Sequence, residues 1–489
     1  MAIELSNLTF TEQDDIVPVS GIEEILNTGI ANTLAGNDRI TGDVTNSTSQ
    51  STNGIYNSGT LNTDDGNDII TGIGRLRDWW ENPFPKDGIG IYNTIGIIET
   101  GNGNDIITGI GPIQGIQSLS GTINTSDDND TITGATIGPA RDAGVVGILM
   151  VDSTLDTGKG NDVIRGTALN GDFTTGLSNQ NRSTLITGDG NDIIIGESAR
   201  GGPGISNDGL IDTSNGNDSI TGTNTNQFEL FGTGIFNSKD ITTGDGEDYI
   251  SGNGHINGII NYGTINTDNG ADNIFGFGNA RYGSAGSGII NNGIINTGNG
   301  PDFMGSNSFY NTGNVFLGEG NDSLSFSGAG DSIINSNFIG TGDGNDIITS
   351  YDPIYNQGVI ETGNGDDSII VNEVYNNGGA INMGDGNDSI IANRDFQSGP
   401  NSSGAWFLGE GEDYIKGFGS GDFYGGNGND TLELSEGTYT VGIWGEGGES
   451  PIFTRGNQLM ITCEFEKLKA GSTIYDFTSL TAGQIIIVA

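Results

Sequence analysis

The stretch "TGNGNDIITG", residues 100–109, decides the fold that this sequence predicts, because close variants of it return along the whole chain. Aligned on the aspartate, which is Asp105 in this copy, the chain holds 16 copies spaced 17 to 37 residues apart. The residue two places before the aspartate is Gly in 15 copies, and the residue two places after it is apolar in all 16. Such regular surroundings at uneven spacing are typical of a repeat protein that accepts insertions as loops.

Each repeat has three short apolar stations, and the pattern "IYN-x-G-x-I-x-T-G-x-G-N-D-x-I-x-G" summarises them. Apolar residues flanked by polar residues or Gly indicate very short strands joined by tight turns. Helix is disfavoured because Gly, Asn, Thr and Asp dominate every window. We therefore predict an all-β protein, a right-handed or left-handed parallel β-solenoid (β-helix or β-roll) of about 16 rungs with short terminal caps.

Asparagine recurs eleven or twelve places before the repeated aspartate, for example at Asn57, Asn93 and Asn207. In a solenoid, residues at equal positions of successive repeats lie above one another. The register thus predicts an inward ladder of asparagine side chains that hydrogen-bond from rung to rung. Asparagines in solvent-facing turns are the alternative that the sequence leaves open.

The charge balance restricts the partners of the chain. It has 63 acidic against 16 basic residues, a net charge of −47, and 33% hydrophobic residues among its 489. This excess of negative charge disfavours nucleic acids and anionic membrane surfaces and favours cations. No segment reaches the roughly 20 apolar residues of a membrane span. We expect neither nucleic-acid binding nor membrane insertion.

The repeated aspartates predict bound metal ions. Stacked carboxylates about 4.8 Å apart repel one another by roughly 3.5 kcal/mol at an effective dielectric constant of 20. Calcium accepts six to eight oxygen ligands in flexible geometry, whereas zinc would have only His255 and Cys463 as its preferred ligands. We therefore expect several Ca²⁺ ions between successive turns. The alternative left open is that the carboxylates turn outward or accept backbone N–H bonds.

Near the end of the repeats, "LGEGEDYIK" (Leu408–Lys416), "GFGSGDFY" (Gly417–Tyr424) and "GGNGNDTLE" (Gly425–Glu433) follow one another. This segment resembles the glycine-aspartate nonapeptides of the hemolysin-type calcium-binding, or RTX, family. The resemblance implies a parallel β-roll that binds calcium between turns through Asp413, Asp422 and Asp430. It also implies type I secretion through an uncleaved C-terminal signal, for which "YDFTSLTAGQIIIVA" (residues 475–489) has the expected composition.

Most of the chain departs from the RTX pattern, with one such turn per 20–37 residues over residues 33–400 and Thr in place of the leading Gly. The predicted organisation is an N-terminal cap (1–32), calcium-type solenoid repeats (33–407), RTX-like tandem nonapeptides (408–434) and a C-terminal cap with secretion signal (435–489). Asp130, in "SDDND", lacks both flanking glycines and is left out of the predicted ligands. The predicted calcium ligands are Asp38, Asp68, Asp105, Asp162, Asp192, Asp218, Asp248, Asp272, Asp302, Asp322, Asp346, Asp367, Asp388, Asp413, Asp422 and Asp430.

The repeats leave no room for a separate catalytic domain, and no Ser/His/Asp, Cys/His or zinc-protease motif is present. We expect no enzyme but an exported, calcium-stiffened structural protein that self-associates into a filament, sheath or surface layer. The alternatives are a polysaccharide lyase or epimerase and a glycan- or ice-binding adhesin module. Extracellular polysaccharide is a further expected partner, since the longest insertion, residues 75–87, carries Arg and Trp residues suited to a contact surface.

Overall fold

The computed structural model describes residues 2–18, 23–46, 52–75, 88–137, 144–225, 232–279, 286–328, 333–397, 404–445 and 450–489. Most of the insertion at 75–87, including its Trp and Phe residues, lies outside this part of the chain. The chain divides into two compact units. The first comprises Met1–Asp268 and Phe275–Gly288, and the second Asn269–Ile274 and Ile289–Ala489.

Each rung of the first unit is built from three strands that follow one another along the chain. The first strands are Ile25–Asn27, Ile55–Asn57, Ile89–Thr94, Gln114–Leu119, Gly144–Val151, Phe173–Gln180, Ile205–Asn207, Thr233–Asn237 and Asn257–Asn261. The second strands are Ile30–Asn32, Thr60–Asn62, Ile97–Glu99, Thr122–Asn124, Thr154–Asp156, Thr184–Ile186, Leu210–Asp212, Asp240–Thr242 and Thr264–Asn266. The third strands are Arg39–Asp43, Ile69–Ile73, Ile106–Gly111, Thr131–Thr136, Val163–Ala168, Ile193–Ser198, Ser219–Asn224 and Tyr249–Gly254.

The strands of successive rungs pair in parallel and in register, so that like residues stack. Ile70 pairs with Ile107, which pairs with Ile132, and all three side chains are buried. Residues on either side of each buried position alternate outward, as the period of a β-strand requires. The prediction of an all-β parallel solenoid is therefore confirmed, with the apolar stations of the repeat forming the core.

The second unit has the same three-strand rung, but from Asn314–Glu319 onward its second strands are longer. The second strands are Ile294–Asn296, Asn314–Glu319, Phe338–Asp343, Val359–Asn364, Ala380–Asp385, Ala405–Gly411 and Gly421–Gly428. The first and third strands are Phe303–Ser306, Phe309–Asn311, Ser323–Phe326, Ile333–Asn335, Ile347–Ser350, Ile354–Asn356, Ser368–Asn376, Ser389–Gln397, Tyr414–Lys416 and Thr431–Glu433. In Ser368–Asn376 and Ser389–Gln397, the third strand of one rung continues into the first strand of the next. Asn273–Gly278 and Ser287–Asn291 each have residues in both units.

Irregular elements lie at both ends of the chain. Near the N-terminus, Ile3–Glu4 pairs with Ile25–Asn27, Leu5–Asn7 forms a 3₁₀ turn, and Ile16–Val17 pairs with Arg39–Asp43. The C-terminal elements are the strands Gly437–Trp444, Ser450–Arg455, Gln458–Cys463, Lys467–Ala470, Thr473–Asp476 and Ile485–Val488, and the 3₁₀ turn Phe477–Ser479. Several of these strands pair antiparallel, which ends the parallel stacking.

Within the second unit, Arg455 adds side-chain contacts to the strand pairing that joins the C-terminal strands to the rungs. Arg455 contacts the Asp395 carboxylate at 2.5 Å, and its guanidinium lies 4.6 Å from the centre of the Phe418 ring. Both partners of the ion pair are largely buried, so the contact is screened little by solvent. No helix among the described residues has the length and apolar character needed to span a lipid bilayer.

The predicted asparagine ladder is confirmed. Asn27 donates to Asn57, and Asn57 to Asn93, at 2.8 Å each, and all three side chains are fully buried. The second unit repeats the arrangement, for example from Asn311 to Asn335 at 2.9 Å. Ser118 and Met150 interrupt the column in the first unit, since they occupy the equivalent strand positions. The ladder satisfies buried polar groups that would otherwise cost about 1–3 kcal/mol each.

Candidate functional site: the aspartate ladders

The repeated aspartates lie where the turn after each second strand enters the third strand. Their side chains point inward, and each is at most 1% exposed. The glycine two places earlier allows this close stacking, because a Cβ on Gly344 would lie 1.4 Å from the carbonyl oxygen of Gly320 in the neighbouring rung. The residues of the first ladder are Asp38, Asp68, Asp105, Asp130, Asp162, Asp192, Asp218 and Asp248. The residues of the second ladder are Asp272, Asp302, Asp322, Asp346, Asp367, Asp388, Asp413 and Asp430.

Within each ladder the carboxylates are joined through the backbone. The N–H of Asp38 donates to Oδ1 of Asp68 at 2.7 Å, and that of Asp68 donates to Oδ1 of Asp105 at 2.8 Å. The same bond recurs down to the N–H of Asp413, which donates to Oδ1 of Asp430 at 2.9 Å. The carboxylates thus accept backbone N–H bonds, the alternative that the sequence left open, but the donors lie in the neighbouring rung.

A second contact of the carboxylate comes from a buried threonine five places earlier. Thr243 donates its hydroxyl to Oδ2 of Asp248 at 2.5 Å, and Thr33 makes the same contact with Asp38. In other rungs the threonine lies close enough to lower the pKa of the aspartate, as Thr63 does for Asp68, but it forms no hydrogen bond with Oδ2. In the second unit, Leu317, Met383, Leu408 and Gly425 replace this threonine. Those four rungs therefore lack the hydroxyl altogether.

Many of the Oδ2 atoms are left without a hydrogen-bond partner. Within the described part of the chain, this holds for Oδ2 of Asp68, Asp105, Asp130, Asp162, Asp192, Asp218, Asp302, Asp322, Asp346, Asp367, Asp388, Asp413 and Asp430. A buried carboxylate oxygen without a partner is costly when the group is ionised. The ladders therefore require either bound protons or bound cations at these oxygens.

The electrostatics agree with this requirement. Burial is the largest cause of the shifts, the neighbouring aspartates add to it in most rungs, and the backbone N–H bonds act against it. The pKa is raised to about 6 for Asp68, Asp162, Asp218, Asp367, Asp413 and Asp430, to about 7 for Asp105, Asp192, Asp302, Asp322 and Asp388, and to about 8 for Asp130. Near neutral pH the ladders hold a mixture of neutral and ionised carboxyls.

Two aspartates depart from the sequence-based assignment. Asp130 belongs to the first ladder although its flanking glycines are missing, since Asp128 takes the place of the second glycine with a φ of +92°. Ile132, the apolar residue two places after Asp130, was the sequence signal that could have placed Asp130 among the predicted ligands. Asp422, in contrast, pairs in a second strand with Ala405 and lies half-buried outside the ladder. Its spacing from Asp413 suggested a nonapeptide, but the chain there forms a strand rather than a turn.

The ladders fit calcium by ligand type. Every donor in the turns is a hard oxygen atom, as calcium prefers, and unpartnered buried Oδ2 atoms recur along both columns. No three His, Cys, Asp or Glu side chains converge among the described residues. Backbone carbonyls of the turns would therefore have to supply most of the ligands. At Asp38 and Asp248, a threonine hydroxyl already donates to Oδ2, so that oxygen has a partner within the chain.

The backbone at Gly425 packs closely against the last ladder carboxyl, that of Asp430. A Cβ on Gly425 would lie 2.9 Å from Oδ2 of Asp430 and 2.0 Å from the carbonyl oxygen of Glu464. Glu466 accepts the backbone N–H of Asp430 at 2.7 Å and so adds a second carboxylate to the end of the ladder. This turn therefore combines two carboxylates, a nearby carbonyl and no competing side chain.

Comparisons with known proteins complete the description of the site. No family model matches the chain, and no curated protein matches it. Among solved structures, a hyperactive, Ca²⁺-dependent, β-helical antifreeze protein from an Antarctic bacterium aligns at 20% identity and a TM-score of 0.43. The alignment covers 73% of this chain and 92% of that one. At this level of similarity, the comparison carries no argument about ligand or activity. The class of protein, a parallel β-solenoid, is defined by the strand pairing of this chain itself.

Proposed function

We propose that this chain is a non-enzymatic, RTX-like extracellular structural protein, a β-solenoid that binds Ca²⁺ at its aspartate ladders and is stiffened by it. The observation that supports the proposal best is the recurrence of buried, unpartnered Oδ2 atoms along both ladders. Extracellular calcium is plentiful, so a chain with these ladders would gain stability on export through its C-terminal segment. Binding energy becomes folding energy when the unfolded chain lacks the site.

The calcium ligands in this proposal are the ladder carboxylates and the carbonyls of their turns. The ion would supply positive charge beside carboxylates that burial otherwise keeps partly protonated. The backbone N–H bonds to Oδ1 hold each carboxylate in a fixed orientation, which leaves Oδ2 for a ligand. The Asp430 turn is the best candidate for full occupancy because it lacks the threonine hydroxyl and has the Glu466 carboxylate beside it.

Thermal unfolding of the full chain, followed by circular dichroism, tests the calcium proposal. We expect a higher Tm in 5–10 mM CaCl₂ than in EGTA, since a ligand present at about 100 times its Kd contributes about 2.7 kcal/mol. Mg²⁺ at equal concentration is expected to act more weakly because it demands octahedral geometry and retains its waters. Equal Tm values in calcium and EGTA, with no calcium in the dialysed protein, would refute the proposal.

Two aspartates of one segment provide a matched pair of variants. Asp430→Asn keeps the acceptor for the backbone N–H of Asp413 but removes the negative charge at the last rung of the ladder. Asp422→Asn removes the same charge outside the ladder. We expect Asp430→Asn to lower the calcium stoichiometry measured by equilibrium dialysis and Asp422→Asn to leave it unchanged. An equal effect of the two substitutions would favour general screening of negative charge over a site.

Self-association is the second part of the proposal. The C-terminal strand Ile485–Val488 pairs on one side with Gly437–Trp444, and Ile487 is 70% exposed on it. Trp444, on the paired strand, and Ile474, on the strand Thr473–Asp476, are also exposed. Exposed apolar strands are sites of strand pairing with another copy. Electron microscopy of the calcium-loaded protein should show fibres or sheets, and Ile487→Lys should reduce them, whereas monodisperse particles at all concentrations would exclude this role.

A further inference from the structure

The surface of the second unit carries a long trough whose floor is made of glycine. It follows the glycine four places before each ladder aspartate, through six successive second strands that pair in parallel. Five intervals of about 4.8 Å give the trough a length of about 24 Å. The residues of the floor are Gly318, Gly342, Gly363, Gly384, Gly409 and Gly426. We call this feature the glycine trough.

The floor depends on glycine at every rung. These residues have φ values from +101° to +111°, which residues with a Cβ rarely adopt. A Cβ on Gly363 would also lie 1.9 Å from the carbonyl oxygen of Gly342 in the neighbouring rung. The floor is therefore a smooth band of backbone without side-chain pockets. Two connected parts of the trough have volumes of about 390 and 380 Å³.

One wall of the trough carries aromatic rings near both of its ends. Phe316 and Phe338 lie with their ring centres 5.3 Å apart, and the Phe338 ring covers Gly340. At the other end, Phe407 and Tyr424 stack at 4.9 Å with their planes 12° apart. Phe316 and Phe407 are about 40% exposed, although nothing in the core needs aromatic side chains at these outward positions. They present apolar ring edges and faces to solvent.

The opposite wall consists of acids and amides in a single outward column. The column comprises Glu319, Asp343, Asn364, Asp385, Glu410 and Asn427. Asn364 donates to Asp343 at 2.6 Å and Asn427 donates to Glu410 at 2.6 Å, so the column is partly ordered by its own bonds. No lysine or arginine lines either part of the trough in the described chain. The wall offers carboxylate acceptors and amide groups that both donate and accept.

We propose that the glycine trough binds an unbranched, uncharged polysaccharide chain lengthwise. Flat aromatic rings pack against the apolar faces of sugar rings, and carboxylates and amides hydrogen-bond to sugar hydroxyl groups. Ligand sites commonly combine such an apolar lining with a few orienting polar groups. A floor that repeats the same glycine over six rungs matches a ligand that itself repeats. Negative charge along one wall repels polyanions and so excludes glycans rich in uronic acid or sulfate.

A basic peptide is the competing ligand for an acidic trough, and two observations disfavour it. The floor has no pockets in which alternate side chains of a peptide would anchor. Its strands already pair on both sides, as Phe338–Asp343 does with Asn314–Glu319 and Val359–Asn364. An added β-strand would therefore find no free backbone edge, which such recognition needs.

Affinity electrophoresis of the full chain tests the proposal, with hydroxyethyl cellulose and pullulan as neutral probes and alginate as the anionic probe. A competing peptide, hexalysine, is titrated separately by calorimetry. We expect a neutral probe to retard the protein and alginate to leave it unretarded. Hexalysine should bind the unsubstituted chain no more tightly than it binds the trough variants. Because the trough shares no side chain with the ladders, retardation is measured on folded protein in both calcium and EGTA, and a failed calcium proposal is seen separately in the Tm.

The variants compare two similar ring stacks on different faces. Phe407→Ala/Tyr424→Ala removes a trough wall and should raise the Kd for the retarding probe at least roughly tenfold, as expected for anchor aromatics. Tyr355→Ala/Tyr375→Ala removes a stack of equal geometry, 4.7 Å and 12°, on first-strand positions outside the trough, and should leave the Kd unchanged. Phe316→Ala tests the other end. Absence of retardation by both neutral probes, equal losses in both double variants, or trough-dependent binding of hexalysine alone would overturn the proposal.

Discussion

The two units hold the same aspartate ladder with two different turns. In the first unit, the residue four places before the aspartate has a φ between +59° and +79°, as at Ser214 and Gly101. In the second unit from Gly318 onward, the equivalent φ lies between +101° and +111°. The first range is the left-handed region that Asn, Asp and Ser tolerate, whereas the second admits only glycine. Accordingly, the first unit places Leu34, Asp64 and Ser126 there, and the second places glycine throughout.

In several rungs the difference coincides with a contact two residues further upstream. In the first unit, Asn62 and Asn124 accept the backbone N–H of Asp64 and Ser126, which fixes the left-handed turn and ends the second strand. In the second unit, Phe316 and Phe407 hold this position, and the strand continues through the glycine. The comparison teaches that the buried column does not dictate the outer surface. The same ladder supports a closed polar turn in one unit and an open trough in the other.

The largest effect that we expect is a loss of stability with rising pH in calcium-free protein. The folded ladders bind protons more tightly than the unfolded chain, so stability falls as pH rises from about 4 through the raised pKa values of about 6 to 8. The decline should continue to a higher pH in the first unit, because Asp130 has a pKa of about 8. Hydrogen exchange resolved by peptide checks this in EGTA at several pH values between 4 and 9.

The outcome in calcium separates two explanations of that decline. If the ion binds the ionised ladders, calcium should restore protection most strongly at high pH. A calcium-free Tm that rises between pH 5 and pH 8 would contradict the raised pKa values. Sodium chloride at equal ionic strength is the control for screening of surface charge.

Removing a ladder aspartate should cost about 3 kcal/mol in either unit, since it leaves a buried N–H without an acceptor and a small cavity. Asp192→Ala and Asp346→Ala test this, because each carboxylate accepts the N–H of the preceding ladder residue at 2.8 Å. The Asn variants keep the acceptor and should cost less than about 1 kcal/mol in EGTA. Urea unfolding followed by circular dichroism measures both pairs. If Ala and Asn variants were equally destabilised, the backbone bond would have no role.

A substitution four places before the ladder aspartate should distinguish the units. Gly188 has a φ of +76°, and Ser214 occupies the equivalent place in the next rung with a φ of +59°. Ser214→Asn, at a backbone position that already carries a Cβ, is therefore expected to cost less than about 1 kcal/mol, whereas a Cβ on Gly188 would lie 1.7 Å from the carbonyl oxygen of Gly158. Gly363→Asn must hold a φ near +105° inside a paired strand and should cost about 2 kcal/mol more. Similar midpoints of urea unfolding for the two variants would remove the distinction between the turns.

The smallest expected effect concerns the capping amide. Asn124→Ala removes the acceptor of the Ser126 N–H at 3.0 Å and should cost about 1 kcal/mol. Asn382→Ala changes the equivalent position of the second unit, where the strand continues to Asp385, and should be nearly neutral. Because the first effect is small, hydrogen exchange of the Ser126 amide is a better measure than Tm. Protection there should fall in Asn124→Ala and be unaffected in Asn382→Ala.

Much of the solenoid could be predicted from the repeat itself. The apolar residue two places after each aspartate was predicted to lie in the core, and Ile70 and Ile107 are buried there. The recurring asparagines were predicted to form a ladder, and they hydrogen-bond from rung to rung. Prediction failed where local pattern and strand pairing disagreed. The "GSGDFY" segment has the glycines of a turn, yet Asp422 lies in a strand because Trp406 and Phe423 stack beneath it at 4.2 Å. Asp130 joined the ladder without glycines because its neighbouring rungs fix its place.

The sequence by itself determined that this chain repeats one unit with an inward apolar face, since periodicity and burial are properties of residue order. It also determined that carboxylates stack in columns. Only the tertiary structure decided what holds each carboxylate, because the donor of its hydrogen bond lies one rung and 17 to 37 residues away. The trough too arises only when six distant glycines are brought into register, so no local stretch of sequence contains it.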